Sequence, residues 1–329
     1  MSRIQQRFEQ MLEPAGIQIN GPNPWDVQVH NPDLFLRIAR DGTLGLGEAY
    51  MDGWWDCEAL DEMITRGFRA GLEDQVRNNF RFLIYLIGFR LFNRQSRARA
   101  FQVGEQHYDI GNDVFEQMLD PHMNYSCGFW ESASGLDEAQ IAKMEMICAK
   151  LQLEPGMKVL DIGCGWGGLA RWMAQHHDVH VTGVTVSVEQ AKLAQERCAD
   201  LPVEITVKDY RELEGKFDRI VSVGMFEHVG QRNYRTFFTK SRSLLKDQGL
   251  FLLHTIGAGR DGFATDRWIE KYIFPNGVLP PAAALARQAG ACFTIEDWHN
   301  FGADYDPTLM AWYRNFNAAW PSLKANYGD

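Results

Sequence analysis

The residues with the clearest chemical signature are four glycines that follow a short apolar run. The run covers 158–162 and contains Asp161, and the glycines stand at positions 163, 165, 167 and 168. Glycine suits such a turn because the chain bends sharply there, and because a Cβ would push away a ligand that approaches the backbone. The spacing predicts a nucleotide-binding turn between a strand and a helix, although a Gly-x-Gly-x-x-Gly pattern alone does not identify the ligand.

Three uses of this turn stay open on the residues alone: binding of S-adenosylmethionine (AdoMet), binding of NAD(P), or a purely structural bend. An NAD(P) site expects an acidic residue about 20 positions further on, where it holds the ribose hydroxyls. The second predicted strand, 179–184, is followed by Thr185 instead. An aspartate ahead of the first glycine, such as Asp161, is the usual arrangement in AdoMet enzymes, so the pattern favours AdoMet.

The elements that must position this turn alternate along the second half of the chain. The predicted strands are 158–162, 179–184, 204–208, 217–223, 250–255 and 292–297. Helices are predicted over 188–198, 233–245 and 308–320. This alternation predicts an α/β fold with a doubly wound, mostly parallel sheet. The last helix carries a stripe that is predicted to pack against the sheet, made of Leu309, Trp312, Tyr313 and Phe316.

Polar side chains stand where several of these strands end. The carboxyl ends of parallel strands meet at one edge of the sheet, which is where open α/β sheets bind ligands. The polar residues that reach this edge are Asp161, Thr185, Asp209, Glu227, and Thr255 or His254. The sequence therefore predicts that they line one crevice.

Composition narrows the class of protein. The chain has 329 residues, of which 45% are hydrophobic and 23% charged, enough for a folded core. A net charge of -10 argues against nucleic acid as a partner. The cysteines form no Cys-x-x-Cys pair, and His176, His177 and His180 resemble a metal cluster only by number, so no metal is expected. The N-terminus lacks a secretory signal, which predicts a cytoplasmic protein.

A change in residue composition and in the pattern of predicted elements near residue 100 predicts two domains. We assign 1–95 to a small N-terminal α+β domain, 96–104 to a basic linker and 105–329 to a catalytic domain. The segment from Asp74 to Glu105 has six arginines and no acidic residue between its ends. Its apolar run, 82–89, is too short to span a bilayer, which takes about 20 residues. A core helix with a solvated linker and a surface for anionic lipid head groups both explain the segment.

Five segments, taken in order, resemble the family of cyclopropane-fatty-acyl-phospholipid synthases, AdoMet enzymes that bridge lipid double bonds with a methylene. The segments are Tyr125-Ser-Cys-Gly-Phe-Trp130, 159–167, 224–230, 253–257 and 297–305. The resemblance covers nearly the whole chain and implies a sheet of the AdoMet methyltransferase type.

The resemblance also implies which residues hold AdoMet. They belong to the first motif, the glycine turn and the ends of the second and third strands, and they are Tyr125, Ser126, Asp161, Gly163, Cys164, Gly165, Trp166, Gly167, Thr185, Val186, Gln190, Asp209, Tyr210 and Arg211. The absence of an acidic residue at Thr185 is normal in the family, where Gln190 on the next helix can reach sugar or methionine groups.

A bound bicarbonate ion is the general base that the resemblance implies. An alkene is a poor nucleophile, so the reaction needs an electrophilic methyl group that is held in line and away from water. A proton must then leave the new methyl so that the ring closes, and a carboxylate beside a sulfonium would itself risk alkylation. The residues implied to hold bicarbonate are Cys127, Glu227, His254, Ile256 and Tyr305. Their hydroxyl, imidazole and backbone N–H groups can donate to an anion, and Glu227 can accept from its hydroxyl.

The implied substrate is a cis-unsaturated acyl chain of a phospholipid in a bilayer. We therefore expect transient association with the inner face of the cell membrane, and a homodimer supported by the N-terminal domain. Candidates for the acyl channel are Trp130, Phe226, Tyr272 and Phe274. A methyltransferase that adds a methyl branch to another lipid alkene, and a lipid-binding protein without turnover, are the alternative functions.

The chain ends at Asp329, shortly after the predicted helix 308–320. The family continues with a further helix, a cysteine-bearing segment and a last apolar strand that inserts into the sheet. We therefore expect the catalytic domain to be truncated at its C-terminal end, which would leave sheet edges unpaired.

Overall fold

A computed structural model describes residues 3–72, 111–258 and 265–327. The chain folds as two compact units: the first unit comprises residues 1–93 and 264–275, and the second unit residues 94–263 and 276–329. The basic segment from Asp74 to Glu105 lies outside the described residues. Within the described ranges, no helix is both long and apolar enough to cross a membrane.

The first unit is a small α+β structure, and its elements are short. They are α1 (Arg3–Leu12), β1 (Gln28–Val29), α2 (Leu34–Asp41), α3 (Thr43–Met51), β2 (Trp55–Asp56), α4 (Leu60–Arg69) and α10 (Arg267–Tyr272). Strands β1 and β2 pair antiparallel. The core consists of Leu34, Ala49, Trp55 and Cys57.

Helix α10 corrects the predicted domain boundaries, because the sequence placed 264–275 in the catalytic domain. Its residues contact α3 instead. Lys271 Nζ and Tyr272 Oη both donate to Glu48 Oε1, at 2.6 and 3.0 Å. Trp268 packs against Gly47, where any Cβ would clash with the indole ring. A glycine and a carboxylate of α3 thus hold a segment that is more than 200 residues away in the sequence.

The second unit contains a parallel five-stranded sheet, which confirms the predicted fold class. Its elements are α5 (Asn112–Met118), α6 (Leu136–Leu151), β3 (Lys158–Ile162), α7 (Gly168–His177), β4 (His180–Thr185), α8 (Val188–Arg197), β5 (Val203–Val207), β6 (Phe217–Val223), α9 (Tyr234–Leu244), β7 (Leu245–His254), α11 (Ala282–Gly290) and α12 (Tyr305–Tyr327). The strand order is β5-β4-β3-β6-β7, and every neighbouring pair is parallel. Strands β4 and β5 lie on one side of β3, and β6 and β7 lie on the other. The strand order therefore reverses between β3 and β6, and the switch point at which such sheets bind ligands lies at the ends of these two strands.

Apolar clusters cover the two faces of this sheet. One cluster joins β3 and β4 to α6 and α7, through residues such as Met144, Val159 and Met173. The other contains an aromatic group that packs on β6 and β7, made of Phe226, Tyr234, Phe237 and Phe238. Phe226 is 0% exposed in this group. The prediction that it lines an acyl channel is therefore wrong, because its ring fills the core.

The predicted strand over 292–297 is also wrong. Residues 294–300 form no regular element, and both Ile295 and Trp298 are exposed. A strand needs a neighbour to satisfy its backbone groups, and no strand of the described chain pairs with this segment. Asp297 instead forms an ion pair with Lys150.

Helix α12 is longer than predicted and packs through a different face. Trp312 is buried, whereas Leu309 and Tyr313 are exposed. The buried residues Ala311 and Trp312 pack with α5 and the glycine-turn region. The prediction that the whole stripe packs against the sheet is thus wrong for Leu309 and Tyr313.

Candidate active site

A crevice of about 190 Å³ opens at the carboxyl ends of strands β3, β4, β5 and β6. It lies where the fold places ligand sites in open α/β sheets. Segment 123–126 and helix α6 contribute further residues to its wall.

The glycine turn forms the floor of this crevice. Gly163, Gly165 and Gly167 all have positive φ angles, which residues with a Cβ adopt at a cost. The backbone N–H groups of Gly163 and Cys164 donate to Val184 O at 2.9 and 3.0 Å, so the turn is anchored to β4. Around Gly165 no atom lies within 4 Å of where a Cβ would stand. A ligand can therefore approach the backbone at Gly165.

Asp161 supplies a buried acceptor to the crevice. Its side chain is 2% exposed, and Oδ2 has no hydrogen-bond partner in the part of the chain that the structure describes. Burial raises the pKa of Asp161 to about 7. Such a carboxylate favours a ligand that brings hydrogen-bond donors or positive charge.

A hydrogen-bonded network at the end of β4 holds the next part of the wall. Thr185 Oγ1 donates to Gln190 Oε1 at 2.8 Å, and the hydroxyl of Ser187 caps α8 by accepting from the N–H of Gln190. The end of β5 is fixed in a similar way, because Arg211 donates two hydrogen bonds from its guanidinium to the Asp209 carboxylate. Both networks leave rigid polar walls rather than mobile side chains.

Thirteen of the fourteen residues predicted to hold AdoMet line this crevice: Tyr125, Ser126, Asp161, Gly163, Cys164, Gly165, Trp166, Thr185, Val186, Gln190, Asp209, Tyr210 and Arg211. Gly167 is the exception. It caps the N-terminus of α7, and a Cβ there would meet Ala194 and Cys198. A glycine is needed at this position because of its positive φ angle and the close packing around it, and not because the residue lines the crevice.

The residues predicted to hold bicarbonate come from four segments near the same edge of the sheet. Glu227 follows β6 and is 8% exposed. Its Oε1 accepts from the N–H of Ile256 at 2.8 Å, while Oε2 is buried without a partner among the described residues. Burial raises the pKa of Glu227, and the hydrogen bond from Ile256 opposes this. The Ile256 N–H is thus directed to Glu227, not to an open anion site as the sequence suggested.

His254 ends β7, and its ring contacts Phe301 with 5.1 Å between ring centroids. Burial lowers the pKa of His254, and the positive charge of Lys143 lowers it further. The imidazole is therefore neutral near pH 7 and has one N–H to donate.

Tyr305 and Cys127 complete the set. Burial raises the pKa of Tyr305, and the nearby acidic groups of Glu227 and Cys127 act in the same direction. Burial also raises the pKa of Cys127 to about 11, so the thiol stays protonated. Its Sγ donates to Gly128 O at 3.3 Å. A phenol and a thiol in this state offer hydrogen bonds without adding negative charge.

Thr308 ties the Cys127 segment to α12. Its buried Oγ1 accepts from Gly128 N at 3.1 Å and from Trp130 Nε1 at 2.8 Å, and it donates to Asp304 O. Trp130 N also donates to Asp304 Oδ2 at 2.7 Å. These bonds fix Trp130 and the loop that carries Cys127.

Sequence reasoning missed several residues of the crevice wall, among them Asn124, Lys143, Ile147, Met225 and His228. Lys143 and Ile147 belong to the buried face of α6, together with Gln140 and Met144. Two of these four residues, Gln140 and Lys143, are polar, so the hydrophobic periodicity of α6 does not mark this face as buried. Tyr272 and Phe274, proposed for the acyl channel, fall in the first unit, and that role stays a prediction.

Comparison with known proteins gives consistent results. The family described as mycolic acid cyclopropane synthetase matches residues 95–329. The chain is 57% identical over 320 residues to the cyclopropane-fatty-acyl-phospholipid synthase of Escherichia coli (strain K12), which covers 97% of this chain and 84% of that protein. Among solved structures, it is similar to the cyclopropane synthase MmaA2 from Mycobacterium tuberculosis, with a TM-score of 0.65, 32% identity and coverage of 68% of this chain and 86% of that one. It is also similar to the mycolic acid cyclopropane synthase CmaA1 complexed with SAH and CTAB, with a TM-score of 0.64, 34% identity and the same coverage.

Proposed function

We propose that this chain, which belongs to the mycolic acid cyclopropane synthetase family, converts the cis double bond of a phospholipid acyl chain into a cyclopropane ring, with bicarbonate as the general base. The observation that carries the proposal is the Glu227 carboxylate. The N–H of Ile256 donates to one of its oxygens, and the other oxygen is buried without a hydrogen-bond partner among the described residues. A buried acceptor in this state suits a small ion that brings its own hydroxyl proton.

AdoMet would supply an electrophilic methyl group when bound, and the residues that line the crevice support it as the cosubstrate. Asp161 offers a carboxylate oxygen that has no partner among the described residues, and Gly165 leaves open space above the backbone. Gln190 and Thr185 present a fixed carboxamide and hydroxyl at the end of β4. The crevice therefore has acceptors for the amino and hydroxyl groups of AdoMet and room for it at the glycine turn.

Glu227 and the other four residues of this set would hold the bicarbonate ion and set its orientation. Glu227 would accept a hydrogen bond from the ion's hydroxyl, which would direct the remaining oxygens toward the substrate. His254 and Tyr305 would donate to these oxygens, since the first is neutral and the second protonated near pH 7. The Cys127 thiol would add a weak donor, and Ile256 would act through Glu227. Held in this way, the ion would supply the general base for the proton that the new methyl group loses.

This arrangement keeps a fixed protein carboxylate away from the role of base. The pKa of Glu227 is raised by burial, so its charged form is disfavoured until a donor arrives. Bicarbonate is such a donor. A bound ion also avoids alkylation of the protein, because the base exchanges with solvent after each turnover.

The substrate class sets where the protein works. An acyl chain esterified in a phospholipid is reached at a bilayer surface, so the proposal includes transient contact of a cytoplasmic protein with the inner face of the cell membrane. The first unit is the candidate for lipid contact and for support of a homodimer. Leu36, Met51, Ile64 and Phe68 are large apolar residues that it exposes, and such residues suit an interface.

The test is a turnover assay with AdoMet and vesicles of unsaturated phospholipid, in CO2-free buffer with and without added bicarbonate. We expect each acyl chain to gain one CH2 and to lose its vinyl proton signals in NMR, with a rate that rises with bicarbonate. Gain of CH2 as a methyl branch would instead identify the alternative methyltransferase reaction. Absence of any product from vesicles of several head-group classes would contradict the proposal.

A further inference from the structure

Lys143 is a buried cation at the wall of the crevice that the proposed reaction does not use. It lies on α6 and is 1% exposed, although lysine is almost never fully buried without a partner of opposite charge. Its burial lowers its pKa to about 8, so most of the side chain is protonated near pH 7.

The ammonium has little to bind within the protein. Its Nζ donates to Ser126 Oγ at 2.7 Å, and this is its only hydrogen bond to the described residues. An ammonium carries three donors. No carboxylate of the described chain lies within ion-pair distance of Nζ. Asp120 is the acidic residue whose charge acts on it most, but that carboxylate accepts from the N–H groups of His122 and Asn124 instead.

Lys143 lies between the nucleotide crevice and the group of residues around Glu227. It lines the crevice together with Ser126 and Asp161. Its charge also acts on Cys127 and His254, both of which belong to the set near Glu227. The ammonium thus stands where the nucleotide crevice meets the proposed bicarbonate site.

Helix α6 holds the side chain in place. Gln140, one turn earlier on the same face, donates from Nε2 to Ser126 O at 2.9 Å. Lys143 and Gln140 therefore hold both the hydroxyl and the carbonyl of Ser126. Their neighbour Met144 is 0% exposed, so little space remains for the lysine to take another rotamer.

An uncompensated buried ammonium is costly, and a bound anion would offset the cost. We propose that Lys143 binds a carboxylate-type oxyanion in the crevice. Two anions of this chemistry belong to the reaction: the methionine carboxylate of AdoMet, and bicarbonate, whose part rests on the proposed function. A charge-assisted hydrogen bond of this kind changes affinity by about tenfold or more when it is removed.

The test compares Lys143→Met with Lys150→Met, a matched change on the same helix at a partly exposed site. Binding of S-adenosylhomocysteine and of 5′-methylthioadenosine, which lacks the amino-acid group, is measured by calorimetry. If the methionine carboxylate is the partner, Lys143→Met weakens S-adenosylhomocysteine by about tenfold or more and leaves 5′-methylthioadenosine unchanged. Lys150→Met should alter neither affinity.

If bicarbonate is the partner, binding of S-adenosylhomocysteine stays unchanged in Lys143→Met, and the bicarbonate concentration for half-maximal turnover rises by about tenfold or more. A wild-type protein that binds S-adenosylhomocysteine but gives no product would contradict the proposed function and leave the first comparison decisive for Lys143.

Unchanged affinity for S-adenosylhomocysteine together with an unchanged bicarbonate requirement in a folded Lys143→Met protein would overturn the assignment. An equal loss in Lys150→Met would overturn it as well. Replacing a buried ion by an apolar side chain of similar volume is often neutral for stability, and the melting temperature checks this first. Lys143→Gln, measured in the same way, decides the matter if the methionine variant does not fold.

Discussion

The backbone N–H of Ile256 donates a 2.8 Å hydrogen bond to Oε1 of Glu227. This bond joins the segment after β7 to the short helical turn after β6, and the N–H of Val278 adds a second link by donating to the carbonyl of Glu227. Glu227 is therefore held by its backbone carbonyl and by one of its two carboxylate oxygens. The fold therefore fixes the orientation of this carboxylate.

Substitution of Glu227 by glutamine tests the role of its second oxygen. The carboxamide oxygen of the variant would still accept from Ile256, but the NH2 group cannot accept a hydrogen bond from a bicarbonate hydroxyl. We expect Glu227→Gln to lower turnover by about 100-fold or more, with unchanged binding of S-adenosylhomocysteine. Glu189→Gln, at an exposed position of α8, is the control. Full activity of Glu227→Gln would mean that the carboxylate serves structure alone.

The pKa of Asp161, about 7 in the free protein, predicts proton release when AdoMet binds. The cationic ligand favours the ionised carboxylate, so a proton leaves at a pH of about 6. Calorimetry of AdoMet binding in two buffers with different ionisation enthalpies measures it. We expect Asp161→Asn to abolish this release and to weaken binding, whereas release of the same size in the variant would exclude Asp161 as its source.

Asp161 should also lower the stability of the free protein. A carboxyl whose pKa is raised by folding causes no penalty below its unfolded pKa and the full penalty above its folded pKa. Asp161→Asn should therefore raise the free energy of unfolding by a few kcal/mol at a pH of about 8, and by little at a pH of about 4. Urea unfolding at the two pH values checks this, and a variant that is equally or less stable at the higher pH would contradict it.

Two glycines of the turn should respond differently to alanine. Gly165→Ala puts an alanine at a position with a left-handed backbone conformation, which lowers the free energy of unfolding by about 1 kcal/mol. It also places a methyl group in the open space of the crevice. We expect it to weaken S-adenosylhomocysteine binding more than it lowers stability. A Cβ on Gly163 would lie 2.6 Å from Met225 Cβ, so Gly163→Ala should lose more stability. Gly215→Ala, which is left-handed and open but outside the crevice, controls for backbone strain.

Loss of the Thr308 hydroxyl should loosen the Cys127 loop. Thr308→Val leaves the N–H of Gly128 and the indole N–H of Trp130 without their acceptor. We expect a loss of about 2 to 4 kcal/mol in the free energy of unfolding, because two buried donors become unsatisfied, and a lower rate of turnover. Thr308→Ser keeps the hydroxyl and should recover both properties. Chemical denaturation and the vesicle assay measure the two effects, and equal values for the two variants would count against this role.

Glu48 should hold α10 within the first unit. The hydrogen bond from Lys271 is the largest cause that lowers the pKa of Glu48 to about 2. Because folding lowers this pKa, the stabilisation by Glu48 is complete above the ordinary pKa of a glutamate and is lost as the pH falls toward 2. We expect faster hydrogen exchange in residues 265–275 of Glu48→Gln than of the exposed control Glu58→Gln at neutral pH. Equal exchange would show that Trp268 packing alone holds the segment.

Much of the fold could be predicted because its strands carry strong local signals. The strands 158–162 and 217–223 have the predicted bounds, since each is a mostly apolar run closed by a turn. The strand predicted over 292–297 fails for a non-local reason, because a strand forms only where a neighbour completes its ladder. The family resemblance, read from five motifs, is confirmed by the comparisons.

The parts of the site that the sequence missed depend on contacts between distant residues. The glycine turn can be recognised from its spacing, and its predicted residues line the crevice except Gly167. Lys143 cannot be recognised from the sequence as a residue of the site, because a lysine on a helix is ordinarily solvated. Only the packing of α6 buries it. Helix α10 was assigned to the wrong unit because its partner, Glu48, is 223 residues away.

The bond between Gly128 N and Thr308 Oγ1 spans 180 positions, and this separation sets the order in which the protein can mature. On the ribosome, the loop with Cys127 emerges long before the residue that fastens it, and contacts of such long range form late in folding. All described residues that line the nucleotide crevice precede β7, whereas Tyr305, a member of the proposed bicarbonate set, follows it. The nascent chain therefore contains the crevice residues before this set is complete. Newly made molecules should therefore gain cofactor affinity first and turnover last.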